Sequence, residues 1–176
     1  MNVQAVLQEL DQWHDLIVPD MDSKGILELY RGFVREEIKE LQEARTVPEI
    51  IKEACDVIVV CRPLINWGSG HDMKMHHHIT ESVKSMVYEH GVNWWEALHK
   101  VNVSNFSKLI LESEVEQASD HFAHLGIDVQ IESLGSVYFG AYSTHDQEVN
   151  GKFYADKKLL KAHTYHAIDE SVEWWL

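Results

Sequence analysis

Five carboxylates on two predicted helices have the residue types and the spacing of a metal site. Glu36, Glu37 and Glu40 lie in the stretch REEIKELQEA, and Glu53 and Asp56 follow in the stretch EACD. Residues three apart share one face of a helix, so Glu37 with Glu40, and Glu53 with Asp56, form pairs one turn apart. Clustered carboxylate oxygens are the ligands that Mg²⁺ and Mn²⁺ prefer. The pattern therefore predicts a site for a divalent cation.

Helical periodicity directs two of these carboxylates toward the core. At about 100° per residue, Glu37 falls in the middle of the apolar arc of its helix. Glu53 is likewise surrounded by apolar side chains of the next helix, and the other three carboxylates lie at the borders of the two arcs. Glu43 falls on the opposite, solvated side. Some of these acidic side chains are thus expected to point inward.

Carboxylates that converge in this way must be neutralised. Two charges roughly 5 Å apart repel by about 3 kcal/mol at an effective dielectric constant of about 20. Several such pairs would rival the whole stability of a domain, about 5–15 kcal/mol. Lys and Arg are scarce on the two arcs, so either bound cations or raised pKa values are expected. The alternative is that the carboxylates are separate and each reaches solvent or a distant base.

Composition excludes several classes of partner. The chain has 176 residues, 45% of them apolar, six Trp and a net charge of −14. This charge repels nucleic acids and anionic membranes. No apolar run approaches the roughly 20 residues of a membrane span, and the first residues lack the features of a secretory signal. Without repeats or linkers, the sequence predicts a single domain over residues 1–176 in the cytoplasm.

The chain reads as an all-α fold with a small β-hairpin toward the C-terminus. Apolar periodicity predicts helices over residues 3–17, 25–46, 47–67, 79–90, 93–110 and 114–126. Pro63 should kink or end the third helix, and residues 68–78 read as a loop. Alternation over residues 129–143 and the Asn150-Gly151 turn signal predict the hairpin.

The carboxylate pattern resembles that of the MazG-like all-α nucleoside triphosphate pyrophosphohydrolases. EEIKE followed by EACD matches the family's E-E-x-x-E and E-x-x-D segments. VNVSNFSKL resembles the V-H-x-S-N-M-x-K segment of phage and bacterial members, with Asn102 where the family often has His. QWHDLIVPD, NGKFY and KLLK are similar to shorter family segments, the second with Asn150 in place of Asp. The resemblance covers residues 10–67 and 93–109, whereas 68–92 looks like an insertion and 112–176 like a C-terminal extension.

The resemblance implies a metal-dependent hydrolase. Glu37, Glu40, Glu53 and Asp56 would hold Mg²⁺ or Mn²⁺, with Glu36 and Glu37 as the catalytic residues and Glu36 as a further ligand or as the base for the attacking water. The family cleaves between the α and β phosphates, giving a nucleoside monophosphate and pyrophosphate. A deoxynucleoside triphosphate, dGTP or dATP, is the expected substrate. The third helix is apolar on nearly all sides, with Cys55 and Val59 outside its main arc, which predicts a helical bundle completed by a homo-oligomer, at least a dimer. The family further implies a tetramer, in the bacterial or phage-infected host cytosol.

The same resemblance suggests five residues for substrate binding: Asn102, Asn105, Lys108, His14 and Lys152. Lys108 would bind phosphate as a point charge. Each also has a structural interpretation, because buried Asn can bond local backbone, Lys108 can extend to solvent, and His14 lies on the apolar face of the first helix.

Two other functions fit parts of the sequence. An acidic helical module could bind a basic partner, or mimic DNA through its charge, without catalysis. His71-Asp72 is the dipeptide of the HD-type triphosphohydrolases, but its position in a predicted loop argues against a helical ligand pair.

Overall fold

A computed structural model describes residues 2–18, 22–135, 137–168 and 175. The chain separates into two compact units, residues 1–102 with 168–176, and residues 103–167. The sequence predicted one continuous domain and gave no sign of this division. The mostly helical fold with a small antiparallel sheet toward the C-terminus agrees with the predicted class.

The first unit is helical and is organised around its third helix. Its helices are α1 (Val3–Ile17), α2 (Ser23–Glu43), α3 (Val47–Trp67), α4 (Gly70–Glu89) and the first part of α5 (Trp94–Phe106). α3 contacts α1, α2 and α4, and its buried residues lie on more than one side of the helix. Pro63 is accommodated within α3, which continues to Trp67. Cys55 and Cys61 are buried free thiols.

Capping residues fix where the two acidic helices begin. The side chain of Asp22 accepts a hydrogen bond from the backbone N–H of Gly25 at 2.7 Å, which starts α2. Thr46 and Glu49 form a reciprocal capping box at the start of α3. These caps fix the first residues of the two helices that carry the carboxylates.

The loop predicted over residues 68–78 is wrong, because α4 runs through most of it. Only Gly68 and Ser69 separate α3 from α4. The buried stripe of α4 consists of Asp72, His76, Thr80, Val83 and Val87. Its first three members are polar, so hydrophobic periodicity alone could not reveal the beginning of the helix.

The polar beginning of α4 is tied to α2. Arg31 donates to both oxygens of Asp72, at 3.2 and 2.8 Å. His76 Nδ1 lies 2.7 Å from the backbone oxygen of Asp72. Because the carboxylate of Asp72 has this guanidinium partner, the helix can bury it.

The second unit combines a short helix with small antiparallel sheets. Its elements are β1 (Ile110–Leu111), α6 (Val115–Leu125), β2 (Val129–Ser133), β3 (Tyr138–Ser143), β4 (Gln147–Val149) and β5 (Lys152–Tyr154). β3 lies between β1 and β2, and Phe122 of α6 belongs to the core of this unit. Asn150 and Gly151 have φ values of 53° and 77°, which a tight two-residue hairpin turn requires. This turn between β4 and β5 confirms the predicted turn signal.

No helix within the described ranges is both long enough and apolar enough to cross a membrane.

Candidate metal centre

Three glutamates from α2 and α3 converge at one place in the first unit. Glu37, Glu40 and Glu53 each offer a carboxylate oxygen, and these three oxygens lie within 4.8 Å of one another. Among the residues that the structure describes, these three form the one group of Asp, Glu, His or Cys side chains whose ligand atoms are close enough to share an ion. Three of the four predicted metal ligands are thus brought together. Asp56, the fourth, is not part of this group and is paired with Lys52.

Glu37 has a strongly perturbed pKa. Burial of its carboxyl group, and then the negative charges of Asp56, Glu40 and Glu53, raise the pKa of Glu37 to about 8. The positive charge of Lys52 opposes this shift only in part. Near neutral pH and without a bound cation, Glu37 therefore holds a proton.

Lys52 supplies a cation that the sequence interpretation overlooked. Its Nζ lies 2.6 Å from Oε1 of Glu53 and 3.2 Å from Oδ2 of Asp56. Burial by itself lowers the pKa of Lys52, but the charge of Asp56 and the bond to Glu53 outweigh it and raise the pKa above its ordinary value. Lys52 lies about 100° from Glu53 on the helical wheel, outside the apolar arc, so the expectation that cations are scarce on the arcs did not include it. The four-residue spacing from Lys52 to Asp56, typical of a helical ion pair, was the available signal.

One oxygen of Glu53 has no hydrogen-bond partner among the described residues. Oε2 of Glu53 is buried and accepts no hydrogen bond from the described part of the chain. A buried carboxylate oxygen without a donor is costly, because it has lost its hydration without replacement. Together with the nearby oxygens of Glu37 and Glu40, it forms an all-oxygen donor set that fits Mg²⁺ or Mn²⁺.

A shallow depression of about 460 Å³ adjoins this centre. It is lined by Glu40, Glu43, Ala44, Arg45, Glu49 and Glu53. Among these described lining residues, only Arg45 carries a positive charge. Two of the converging glutamates thus face a space open to a ligand, with one guanidinium beside it.

Glu36 stands apart from the three converging glutamates. It is exposed and lines a second depression on α2 with Glu28, Phe33 and neighbouring residues. Its proposed role as base or further ligand stays a prediction.

His14 is a core residue. It is 2% exposed, its Nδ1 lies 2.9 Å from the hydroxyl of Tyr30, and its Nε2 lies 2.9 Å from the backbone oxygen of Val59. Since a carbonyl can only accept, Nε2 carries the proton and Nδ1 accepts from the hydroxyl of Tyr30. Burial lowers the pKa of His14 to about 4. Both ring nitrogens are engaged inside the protein, which favours the structural interpretation of His14 over substrate contact.

We expect Tyr30→Phe to lower the free energy of unfolding by about 1–3 kcal/mol, because it leaves buried Nδ1 of His14 without a donor. Chemical denaturation measures this change. The control is Tyr88→Phe, since Tyr88 is 48% exposed, and it should stay within about 0.5 kcal/mol of wild type. An equal effect of both substitutions would contradict the assigned hydrogen bond.

Asn102 is also buried, with 1% exposure. Its Nδ2 donates to the backbone oxygen of Val6 at 3.1 Å, which ties α5 to α1. The acceptor lies 96 residues away along the chain, so Asn102 has a structural contact between helices and not the bond to local backbone that was the expected alternative.

Asn105, Lys108 and Lys152 belong to the second unit, and their role toward a substrate stays a prediction. Nζ of Lys108 donates to Oδ1 of Asn105 at 2.6 Å, so these two side chains do form a pair. Lys152 is exposed on β5, with its Nζ 5.4 Å from the ring centre of Tyr154.

Comparison with models of protein families, with curated protein sequences and with solved structures gave no match to this chain.

Proposed function

We propose that the protein is a divalent-metal-dependent nucleoside triphosphate pyrophosphohydrolase. The observation that carries the proposal is the convergence of Glu37, Glu40 and Glu53 around a buried, unpartnered oxygen of Glu53. The resemblance of EEIKE and EACD to the MazG-like enzymes supplies the reaction class. Cleavage between the α and β phosphates would give a monophosphate and pyrophosphate, with dGTP or dATP as the expected substrate.

Each carboxylate has a role in this proposal. Glu37, Glu40, Glu53 and Asp56 would hold Mg²⁺ or Mn²⁺, which when bound neutralises phosphate charge and acidifies water. Glu37 would give up its proton to become a ligand. Glu36, exposed and adjacent to Glu37 in the chain, would accept a proton from the attacking water.

The depression beside the three glutamates is the proposed binding site for the triphosphate. A divalent ion at Glu40 and Glu53 would offset the charges of two of the four glutamates that line it, and Arg45 would then pair with phosphate oxygens. A chain with a net charge of −14 would in this way accept an anionic substrate.

We expect Arg45→Gln to raise KM for the nucleotide by about tenfold or more, because hydrogen bonds to charged groups contribute about 1.5–3 kcal/mol. Steady-state kinetics at saturating metal measures it. Arg35→Gln is the matched control, since Arg35 is an exposed arginine of α2 that does not line the depression. An unchanged KM for Arg45→Gln would place the triphosphate elsewhere.

The assembly and location of the protein are further parts of the proposal. The buried character of α3 on several sides is already met by α1, α2 and α4 within one chain, so the homo-oligomer rests on the family resemblance. Cytoplasmic location is an expectation from the composition and patterning of the sequence.

The decisive experiment incubates the protein with each ribonucleoside and deoxyribonucleoside triphosphate, in Mg²⁺ or in Mn²⁺. We expect monophosphate with pyrophosphate. Nucleoside with triphosphate would instead indicate HD-type chemistry, for which the geometry offers little, since Asp72 is bound by Arg31 and His71 is exposed. Absence of turnover on every nucleotide would overturn the proposal.

A non-catalytic acidic module is the second candidate, and one observation favours it. Lys52 already neutralises part of the carboxylate cluster without a metal. Such a module would bind its basic partner equally well with or without a chelator, whereas the hydrolase would lose activity.

A further inference from the structure

We propose that Lys52 is a resident counter-ion that competes with the divalent cation for Glu53 and Asp56, and so sets the metal concentration at which the centre fills. The inference rests on the proposed metal site, and concerns how that site is controlled.

The contacts of Lys52 are those that an incoming ion would need. Its ammonium occupies Oε1 of Glu53 at 2.6 Å and Oδ2 of Asp56 at 3.2 Å. Both oxygens belong to residues of the predicted ligand set. An ammonium at these distances and a divalent cation bound by the same oxygens would repel each other strongly, because their charges would lie only a few ångströms apart. One must withdraw when the other binds.

Lys52 can withdraw without a change of fold. It lies on the same helix as both of its partners, one and four residues away, so no contact between helices depends on the ammonium of Lys52 through these bonds. A lysine stem has four flexible carbons, and the side chain of Lys52 is still 27% exposed. A change of rotamer therefore suffices to move the charge toward solvent or toward a phosphate.

Lys52 also changes the net charge of the carboxylate cluster in the metal-free protein. When all are ionised, the four carboxylates of the predicted ligand set carry a net charge of −4, and Lys52 reduces this net charge to −3. The lysine thus limits repulsion in the metal-free protein, at the cost of weaker affinity for the ion. A protein of this kind is stable without metal and fills its centre only above a threshold concentration.

The test compares Mn²⁺ binding by wild type and Lys52→Met, measured by titration calorimetry and by the electron paramagnetic resonance of free Mn²⁺. We expect Lys52→Met to bind Mn²⁺ about tenfold tighter or more, because a competing charge has been removed. Its melting temperature should be lower than that of wild type without metal, and should rise more on adding Mn²⁺.

The matched control is Lys84→Met. Lys84 is also a partly sheltered helical lysine, paired with Glu81 at 2.8 Å and 16% exposed. The substitution changes the net charge equally and removes an ion pair, so it should leave Mn²⁺ affinity within about twofold. Lys52→Gln is a second neutral variant, which can still donate to Glu53 and should also bind Mn²⁺ more tightly.

Unchanged or weaker Mn²⁺ binding by both Lys52 variants would overturn the inference, as would the absence of Mn²⁺ binding to all proteins. These outcomes are separate from those of the nucleotide assay. Tighter binding by Lys52→Met in a protein that hydrolyses no nucleotide would support the counter-ion and refute the hydrolase. Nucleotide hydrolysis by wild type, together with unchanged Mn²⁺ affinity in the Lys52 variants, would support the hydrolase and refute the counter-ion.

Discussion

Glu53→Gln is expected to lower kcat/KM for the nucleotide by about 10²–10³-fold or more, because loss of a ligand charge removes several kcal/mol of metal-dependent stabilisation. Glu53 is one of the three converging glutamates and is also the partner of Lys52. The substitution keeps the size of the side chain and can still accept from Lys52. We therefore expect the helical circular dichroism spectrum to be retained.

Glu81→Gln is the control for this experiment. Glu81 is 52% exposed, lies on α4 and is paired with Lys84, so its loss should leave kcat/KM within about twofold. If Glu53→Gln retained activity within tenfold of wild type while folded, Glu53 would not be a metal ligand.

The second large effect concerns pH. The pKa of Glu37 is raised to about 8 in the metal-free protein, so a cation must displace a proton from Glu37 at lower pH. We expect apparent Mn²⁺ affinity to rise by up to about tenfold per pH unit from pH 6 to 8, and to level off above pH 8. Calorimetry in buffers of different ionisation enthalpy should count about one proton released per ion at pH 7.

Stability without metal should show the complementary trend from Glu37. The folded state holds the proton of Glu37 up to about pH 8, whereas an unfolded glutamate loses it near its ordinary value of 4.5. The contribution of Glu37 to the free energy of unfolding is therefore fully present below pH 4.5, and it is lost as the pH rises through 8. His14, with a pKa lowered to about 4, acts in the opposite direction between about pH 4 and 6.5.

Glu37→Gln separates these effects, because the amide does not titrate. In this variant, the proton release on metal binding should disappear and the pH dependence of affinity should flatten. Persistence of the full pH dependence would assign the titrating proton to another group.

The carboxylates could be predicted from the sequence because they interrupt a strong pattern. Glu37 and Glu53 occupy positions where helical periodicity calls for apolar side chains, and the structure brings both together. Lys52 lies outside the apolar arc of its helix, so the arcs alone do not reveal its ion pair with Asp56, four residues away. Distances among acidic side chains decide whether a cation is needed, and spacing alone does not give them.

The start of α4 and the role of His14 were beyond the sequence for a different reason. Asp72 and His76 are buried polar residues that depend on partners, one of them Arg31, 41 residues away. Periodicity reads hydrophobicity and cannot foresee such a partner. His14 carries the same ambiguity, since only the positions of Tyr30 and Val59 show that both its nitrogens are engaged.

The paired hydrogen bonds from Arg31 to Asp72 also restrain the rotation of α2 about its own axis. A planar guanidinium held at two oxygens resists rolling of the helix that carries it. Glu40 lies nine residues further along α2, about 13.5 Å and two and a half turns away. A roll of even one residue would turn Glu37 and Glu40 by about 100° away from Glu53. Residues 68–92, which look like an insertion in the sequence, therefore supply a contact that resists rotation of α2. A chain without this segment would need another contact to keep Glu37 and Glu40 turned toward Glu53.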